Sequence, residues 1–256
     1  MVQRTFPGWL VDHLATVGGA SILAARTAVR LVTPPQDLRA SLQQLDRIGV
    51  GSLNLTNITA LFTGMVLALQ SVYTMAKFGA QMYVGEVVTL SLVRELGPVL
   101  TALMVGGRVG SGITAELGTM TVTEQVDAIR SMAADPIRKL VVPRTWAIVI
   151  MLPLLTIIAD AMGIFGGFLI AVFQEGMPPL FYLQRCIRSL ELVDLALGVA
   201  KPLMFAYLIA IIGCYNGLTA RGGADGVGRA TTDTVYACAI SILVADFLIT
   251  KLFVSM

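Results

Sequence analysis

The chain has 256 residues, of which 56% are hydrophobic and 13% charged, with a formal net charge of +2. Soluble domains carry about a quarter charged residues, so this composition describes an integral membrane protein. The small net charge, with no run of Lys/Arg, gives no basis for a nucleic-acid partner. Cys186, Cys214 and Cys238 form no C-x-x-C pair and His13 is the single histidine, which argues against a disulfide framework and a metal site.

Met1 to Leu31 places Trp9, Leu10, Leu14 and Val17 at helical spacing, with Arg4, Arg26 and Arg30 around them, before Pro34-Pro35 stops any helix. Asp12, His13 and Gly18-Gly19 interrupt the apolar run. The pattern predicts a helix lying in the membrane interface, with a poor transmembrane span as the alternative. Residues 1–48 are read as this helix and a polar connector, and residues 49–256 as a five-helix transmembrane core. The first crossing is expected over Val50 to Ala76, where Leu67, Ser71, Thr74 and Phe78 share a face and Gln70 and Met75 lie beside it. A stripe mixing hydroxyls with apolar groups is either a packing face or a binding surface.

The second apolar run, Val84 to about Ala115, exceeds the ~30 Å hydrocarbon thickness at about 1.5 Å per residue. Arg94 and Glu95 lie inside it. Adjacent helical residues point about 100° apart, so each of the two needs a partner elsewhere or contact with water. Pro98 adds a further demand, because its missing N–H leaves the carbonyl of Arg94 without its helical bond. Ala102, Gly106 and Gly110 then repeat every four residues, with Gly107 and Gly112 beside them, a pattern that lets two membrane helices approach closely, within one subunit or between two. From Thr121 the spacing Thr121/Glu124 suggests a capping box opening an amphipathic helix to Ala133. Val122, Val126, Ile129 and Ala133 fall on one face of it and Glu124, Gln125, Asp127 and Arg130 elsewhere. That helix is too short to cross and is read as a docking element.

The third crossing is expected over Val142 to Phe173, with Pro143, Pro153, the close-approach pair Gly163/Gly167, and Asp160 as a local polar contact. Gln174 to Glu191 reads as an ordered loop, and Leu192 to Leu218 as the fourth crossing, with Lys201-Pro202 and the Gly213/Gly217 pair. Arg221 to Arg229 reads as a glycine-rich loop, but no G-x-x-x-x-G-K-[ST] occurs anywhere, so the chain has no nucleotide site of that kind. Thr234 to Val254, with Asp246, is the last crossing. If the N-terminus is cytoplasmic, the cytoplasmic side carries Arg4, Arg26, Arg30, Arg39, Arg47, Arg108, Arg130, Arg138, Lys139, Arg144, Arg221 and Arg229, against Lys77, Arg185, Arg188 and Lys251 opposite. This excess favours that orientation and places the short helix in the cytoplasm. The expected fold is all-α: an interfacial helix, five transmembrane helices, and a cytoplasmic helix between the second and third.

Three function classes fit such a chain. A permease with a pathway and a docking helix but no nucleotide site needs an ATPase partner. A proton-coupled secondary transporter of an amphipathic substrate would use Asp160, Glu95, Lys201 or Asp246 as a relay, although five spans do not divide into two equal repeats. A membrane enzyme or scaffold lacks any recognisable nucleophile with its base.

The block Arg94 to Arg144 adds a resemblance. Its RELGPV (Arg94 to Val99), GRVGSGITAELG (Gly107 to Gly118), TEQ (Thr123 to Gln125) and DPIRKLVVPR (Asp135 to Arg144) are similar to the signature of the MlaE-type permeases. Those are membrane subunits of bacterial ABC transporters that move phospholipid between the inner and outer membranes. GMVLALQ (Gly64 to Gln70) and RATTDTV (Arg229 to Val235) extend the likeness more weakly, and the N-terminal stretch matches only in general character. The resemblance implies a multi-pass protein of the inner membrane that forms a homodimer with two cytoplasmic ATPase subunits, a STAS-domain accessory protein and a periplasmic hexamer of MCE-domain subunits. It implies a glycerophospholipid substrate and no cofactor on this chain, ATP and Mg being held by the ATPase. It also implies a lipid pocket at Leu67, Thr74, Met75, Phe78, Arg94 and Glu95, and ATPase coupling through Glu124, Gln125, Asp127 and Ile129.

Overall fold

A computed structural model describes residues 8–31 and 38–254, and every regular element among them is helical. Five helical stretches are long and apolar enough to cross a membrane: Ser41–Ala76, Gln81–Val122, Ile137–Gln174, Leu192–Leu218 and Gly223–Phe253. The chain is therefore an all-α integral membrane protein. The N-terminal helix α1 (Gly8–Leu31) is not among the five. It buries Leu23 and Thr27, leaves Leu14 and Val17 exposed, and receives a 2.6 Å hydrogen bond at the Ala24 carbonyl from the Tyr207 hydroxyl. The side chains of Trp9, Leu10, Asp12 and His13, and the Pro34-Pro35 stop, lie outside the described residues.

Two boundaries and the placement of Phe78 depart from the sequence expectation. Helix α2 (Leu38–Ala76) runs for 39 residues, so most of the polar connector is the base of the first span and not a separate segment. At its far end the helix stops before Phe78, which sits in the following turn, 81% exposed, and does not continue the Leu67/Thr74 face. The glycine-rich stretch after Arg221 is mostly helix. Gly222 and Gly223, at φ of +93° and +68°, reverse the chain, and the last helix starts at Gly223. Two residues in the left-handed region suffice for that turn, so the remaining glycines are free to be helical.

The second span is a chain of short pieces: a 3₁₀ turn (Gln81–Tyr83), α3 (Val84–Ser91), a π-turn (Leu92–Leu96), α4 (Gly97–Val105), a second π-turn (Gly106–Gly110) and α5 (Ser111–Val122). After it come the short α6 (Gln125–Ser131), a π-turn (Ile137–Val141), α7 (Val142–Leu169) and a further π-turn (Ile170–Gln174). The stretch read as a loop holds α8 (Pro179–Ser189), for which Pro178-Pro179 is a start signal, since proline is well placed in a helix's first turn. Tyr182 and Cys186, four residues apart, bury the inner face of α8, and Tyr182 packs edge-on against Phe168 with ring centroids 5.9 Å apart. The chain closes with α9 (Leu192–Leu218) and α10 (Gly223–Val254).

Close packing rests on small residues. A Cβ on Gly64 would collide with the Gly163 carbonyl, which brings α2 and α7 together backbone to backbone. A Cβ on Gly213 would stand 3.0 Å from the Gly110 carbonyl, which does the same for α9 and the second π-turn. Gly106 and Gly110 face Ile209, Cys238 and Thr234, and Ala102 is fully buried, so this ladder packs within the subunit.

Candidate functional site

The π-turn Leu92–Leu96 carries Arg94 and Glu95, and both find partners on distant helices. Arg94 Nε donates to Asp194 Oδ1 at 2.6 Å. Asp194 is placed by the first turn of α9, where the Glu191 N–H donates to Asp194 Oδ2 at 3.1 Å in a capping box. Arg94 is thus held through one nitrogen with its side chain 46% exposed, and its two terminal NH2 groups make no hydrogen bond among the described residues. A guanidinium tethered in this way keeps its planar fork available for a second anion.

Glu95 is bound from the other side. Lys201, 2% exposed on α9, spends its three N–H donors on the Arg94 carbonyl at 2.8 Å, Glu95 Oε2 at 2.7 Å and Thr250 Oγ1 at 2.9 Å. Thr250 in turn donates to Glu95 Oε1 at 3.1 Å. With its donors used, Lys201 meets Asp246 Oδ1 at 3.0 Å as an ion contact outside hydrogen-bond geometry. The Arg94 carbonyl that Pro98 leaves open is therefore satisfied by a cation. Arg94 and Glu95 take separate partners and do not neutralise each other, which is what their adjacency on the helix requires.

An apolar cluster joins the first span to the early part of the second, Leu92 of the charged turn included. Leu67 and Met75 pack half-buried against Ala68, Val72, Val84, Val88 and Leu92, the last two residues ahead of Arg94. Leu92 shares the π-turn with Arg94, but two residues apart on a helix they point to different sides, so Leu67 and Met75 join the cluster of the same two spans without touching the charges. Thr74 is exposed, its hydroxyl donating to the Gln70 carbonyl at 2.8 Å, and Phe78 points away from the helix packing. Among the described residues Asp160 joins no ion pair: it is buried against Gly97 with Oδ1 unpartnered. Asp194 and Thr250 escaped the sequence reading. No spacing connects residues a hundred positions apart, although Glu191-x-x-Asp194 ahead of an apolar run was a visible cap.

The docking helix differs from its expectation. The Thr121/Glu124 capping box does not form: α5 runs on to Val122, and the Thr121 hydroxyl donates back to the Leu117 carbonyl at 2.8 Å. A β-hydroxyl inside a helix bonds its own preceding turn as readily as it caps a new one. Glu124 instead breaks the chain direction at φ 61°, α6 spans only Gln125–Ser131, and Ala133 at φ 57° ends it. Val126 and Ile129 are buried in the main core, so Ile129 anchors α6 to the membrane helices and is not an exposed coupling residue. Glu124, Gln125 and Asp127 are exposed.

Comparison with known proteins matches this arrangement to one family. The model of the family described as "Permease MlaE" matches residues 41–252. The intermembrane phospholipid transport system permease protein MlaE of Haemophilus influenzae is 39% identical, over 95% of this chain and 94% of its own length. A probable ABC transporter permease protein of Rickettsia felis is 44% identical over 95% of this chain and 94% of its own. The chloroplastic protein TRIGALACTOSYLDIACYLGLYCEROL 1 of Arabidopsis thaliana is 36% identical, over 91% of this chain and 66% of the plant protein. Matched along nearly its whole length, this chain belongs to the MlaE permease family.

Proposed function

We propose that this chain is the permease subunit of an ABC transporter that carries glycerophospholipid between the inner and outer membranes, driven by ATP hydrolysis on a partner ATPase. The observation that carries this reading is Arg94: a half-exposed guanidinium within an apolar span, tethered at one nitrogen to Asp194, on a span that also shares an apolar wall (Leu67, Met75, Leu92) with α2. A phospholipid presents both matching chemistries, a phosphate for the fork and acyl chains for the wall. A charge in hydrocarbon costs at least about 2.5–3.5 kcal/mol, so Arg94 faces a cavity or a subunit seam and not the lipid tails. The name of the Haemophilus relative supports the same substrate.

The chain sits in the inner membrane with its N-terminus cytoplasmic and works as a homodimer, with the STAS-domain protein and the periplasmic MCE-domain hexamer as further partners. In this orientation the exposed Glu124, Gln125 and Asp127 of the α6 segment meet the ATPase, and Leu67, Thr74, Met75, Phe78, Arg94 and Glu95 line the lipid path. Photocrosslinkers at Thr74 and Phe78 test this reading: they should capture phospholipid in cells. Capture only from the opposite face of α2 would reject the pocket.

A further inference from the structure

A second group of guanidiniums stands at the other end of the same span. Along the second span Arg108 lies 14 residues beyond Arg94, about 21 Å at 1.5 Å per residue. There a cavity of about 180 Å³ opens between the base of α2 and the turn into α5, lined by Gln44, Arg47, Ile48, Arg108, Val109, Gly112, Ile113 and Glu116. That is more than ten times the ~10–15 Å³ one water molecule needs.

The electrostatics of this cavity are unbalanced. Glu116 is its one carboxylate, and it is shared: Oε2 accepts from Arg47 Nη1 at 3.0 Å, and Oε1 accepts from the buried Arg144 Nη2 at 2.8 Å. Among the described residues Arg108 has only a hydroxyl, donating from Nη1 to Ser52 Oγ at 3.1 Å. The cavity thus has two guanidiniums, Arg47 and Arg108, for one carboxylate that Arg144, outside the lining, also draws on. Asp46, the neighbouring acid on α2, points about 100° away from Arg47 and lines no part of the cavity.

The backbone around the cavity is arranged to admit a guest. Arg108 sits in the π-turn Gly106–Gly110, and such turns place side chains out of the regular helical register. Gly51 leaves the space its guanidinium fills, since a Cβ there would lie 2.8 Å from a terminal nitrogen. At the lining glycine, Gly112, a Cβ would meet nothing within 4 Å, so the floor is bare backbone facing open space.

We infer that this cavity binds a phosphate-bearing anion, a phospholipid headgroup or a free phosphate ester, between Arg47 and Arg108. It is a site separate from Arg94, at the end of the spans where α6 lies. A phosphate there supplies the missing negative charge through charge-assisted bonds to two guanidinium forks. This inference stands whether or not Arg94 meets the transported lipid.

The test measures binding of two probes to the purified full-length chain in a maltoside detergent by calorimetry. One probe is phosphatidylglycerol with two six-carbon chains, and the other is glycerol phosphate. Binding retained by Arg94→Ala isolates this cavity. In that background Arg47→Ala with Arg108→Ala is expected to weaken binding at least tenfold. Gly112→Leu, which fills open space and leaves every charge in place, should weaken it comparably. Binding of both probes identifies a phosphate-ester site, and binding of the lipid alone a headgroup site. Affinities within twofold of the Arg94→Ala parent in both variants would overturn the inference. So would loss in the double-alanine variant with none in Gly112→Leu, since that pattern reports surface charge and no cavity.

Discussion

Lys201 donates its ammonium to the carbonyl of Arg94 at 2.8 Å, across two helices and at the one carbonyl that Pro98 cannot serve. Replacing Lys201 with methionine leaves an unbranched side chain one atom shorter and removes all three donors. The orphaned carbonyl alone costs about 1–3 kcal/mol. Glu95, 40% exposed, adds less because solvent screens it. Thermal unfolding of the purified chain should therefore shift clearly downward. Lys201→Arg should not restore it, because a planar fork cannot converge on three acceptors as one ammonium does. A methionine variant with unchanged melting would refute this role.

Asp194 holds Arg94 and also caps α9, and two substitutions separate those tasks. Asp194→Asn keeps the cap and weakens the tether, so it should impair lipid transport with little loss of stability. Arg94→Ala should impair transport further and leave ATPase assembly intact. Transport of fluorescent phospholipid in reconstituted vesicles reads both, and equal rates in wild type and Arg94→Ala would remove Arg94 from the pathway.

The α6 segment separates coupling from folding in a similar way. Glu124 and Asp127 are exposed, and the Asp127–Arg130 pair, 69% and 63% exposed, is worth at most a few tenths of a kcal/mol. Glu124→Lys with Asp127→Lys should uncouple ATP hydrolysis from transport while the melting temperature holds. Ile129→Asp should do the reverse and destabilise the chain itself, since it buries a charge in the core. Normal ATPase assembly and transport in the double-lysine variant would count decisively against docking here.

Gly106→Leu is expected to destabilise the subunit itself. A Cβ at Gly106 already stands 3.4 Å from Cys238 and 3.5 Å from Ile209. Overpacking of this kind costs about 1–3 kcal/mol. A stable, active variant would show that this face has slack.

The cysteines report on folding. Cys186, Cys214 and Cys238 are all buried, and burial pushes the Cys186 thiol above its usual range, suppressing the reactive thiolate. Maleimide should label none of them in the native protein at neutral pH and all three after denaturation. Fast native labelling at Cys186 would mean that α8 opens.

Much of this could be read from the residues. Arg94, Glu95 and Pro98 stated their own needs, because a charge or an open carbonyl in an apolar run must be answered by something. The small-residue ladder likewise announced a close approach, but its spacing could not name the partner, and Ile209 and Cys238 lie about a hundred residues or more downstream. Thr121 and Glu191 show where local rules divide. Both sit three residues before an acid and both look like caps, yet only Glu191 follows a break in the helix. The chain before Thr121 was already helical, so its hydroxyl had a nearer acceptor. Of the residues proposed to line the lipid path, Arg94 and Glu95 were legible by their charge alone. The exposure of Phe78 depends on where α2 stops, and a turn of three residues decides that.

The π-turns in the second span have one more effect. Each holds one residue beyond what an α-helical turn requires, so the helix that follows is rotated by about 100° relative to an uninterrupted one. With turns at Leu92–Leu96 and Gly106–Gly110, the span changes heading twice. Its first piece lies against α2 and α8, its middle against α2 and α7, and its last against α9 and α10. A single crossing thereby works as a three-sided hub, and no fixed period describes it from end to end. Removing one residue from either turn would leave its length nearly unchanged and misdirect every side chain on one side of the cut.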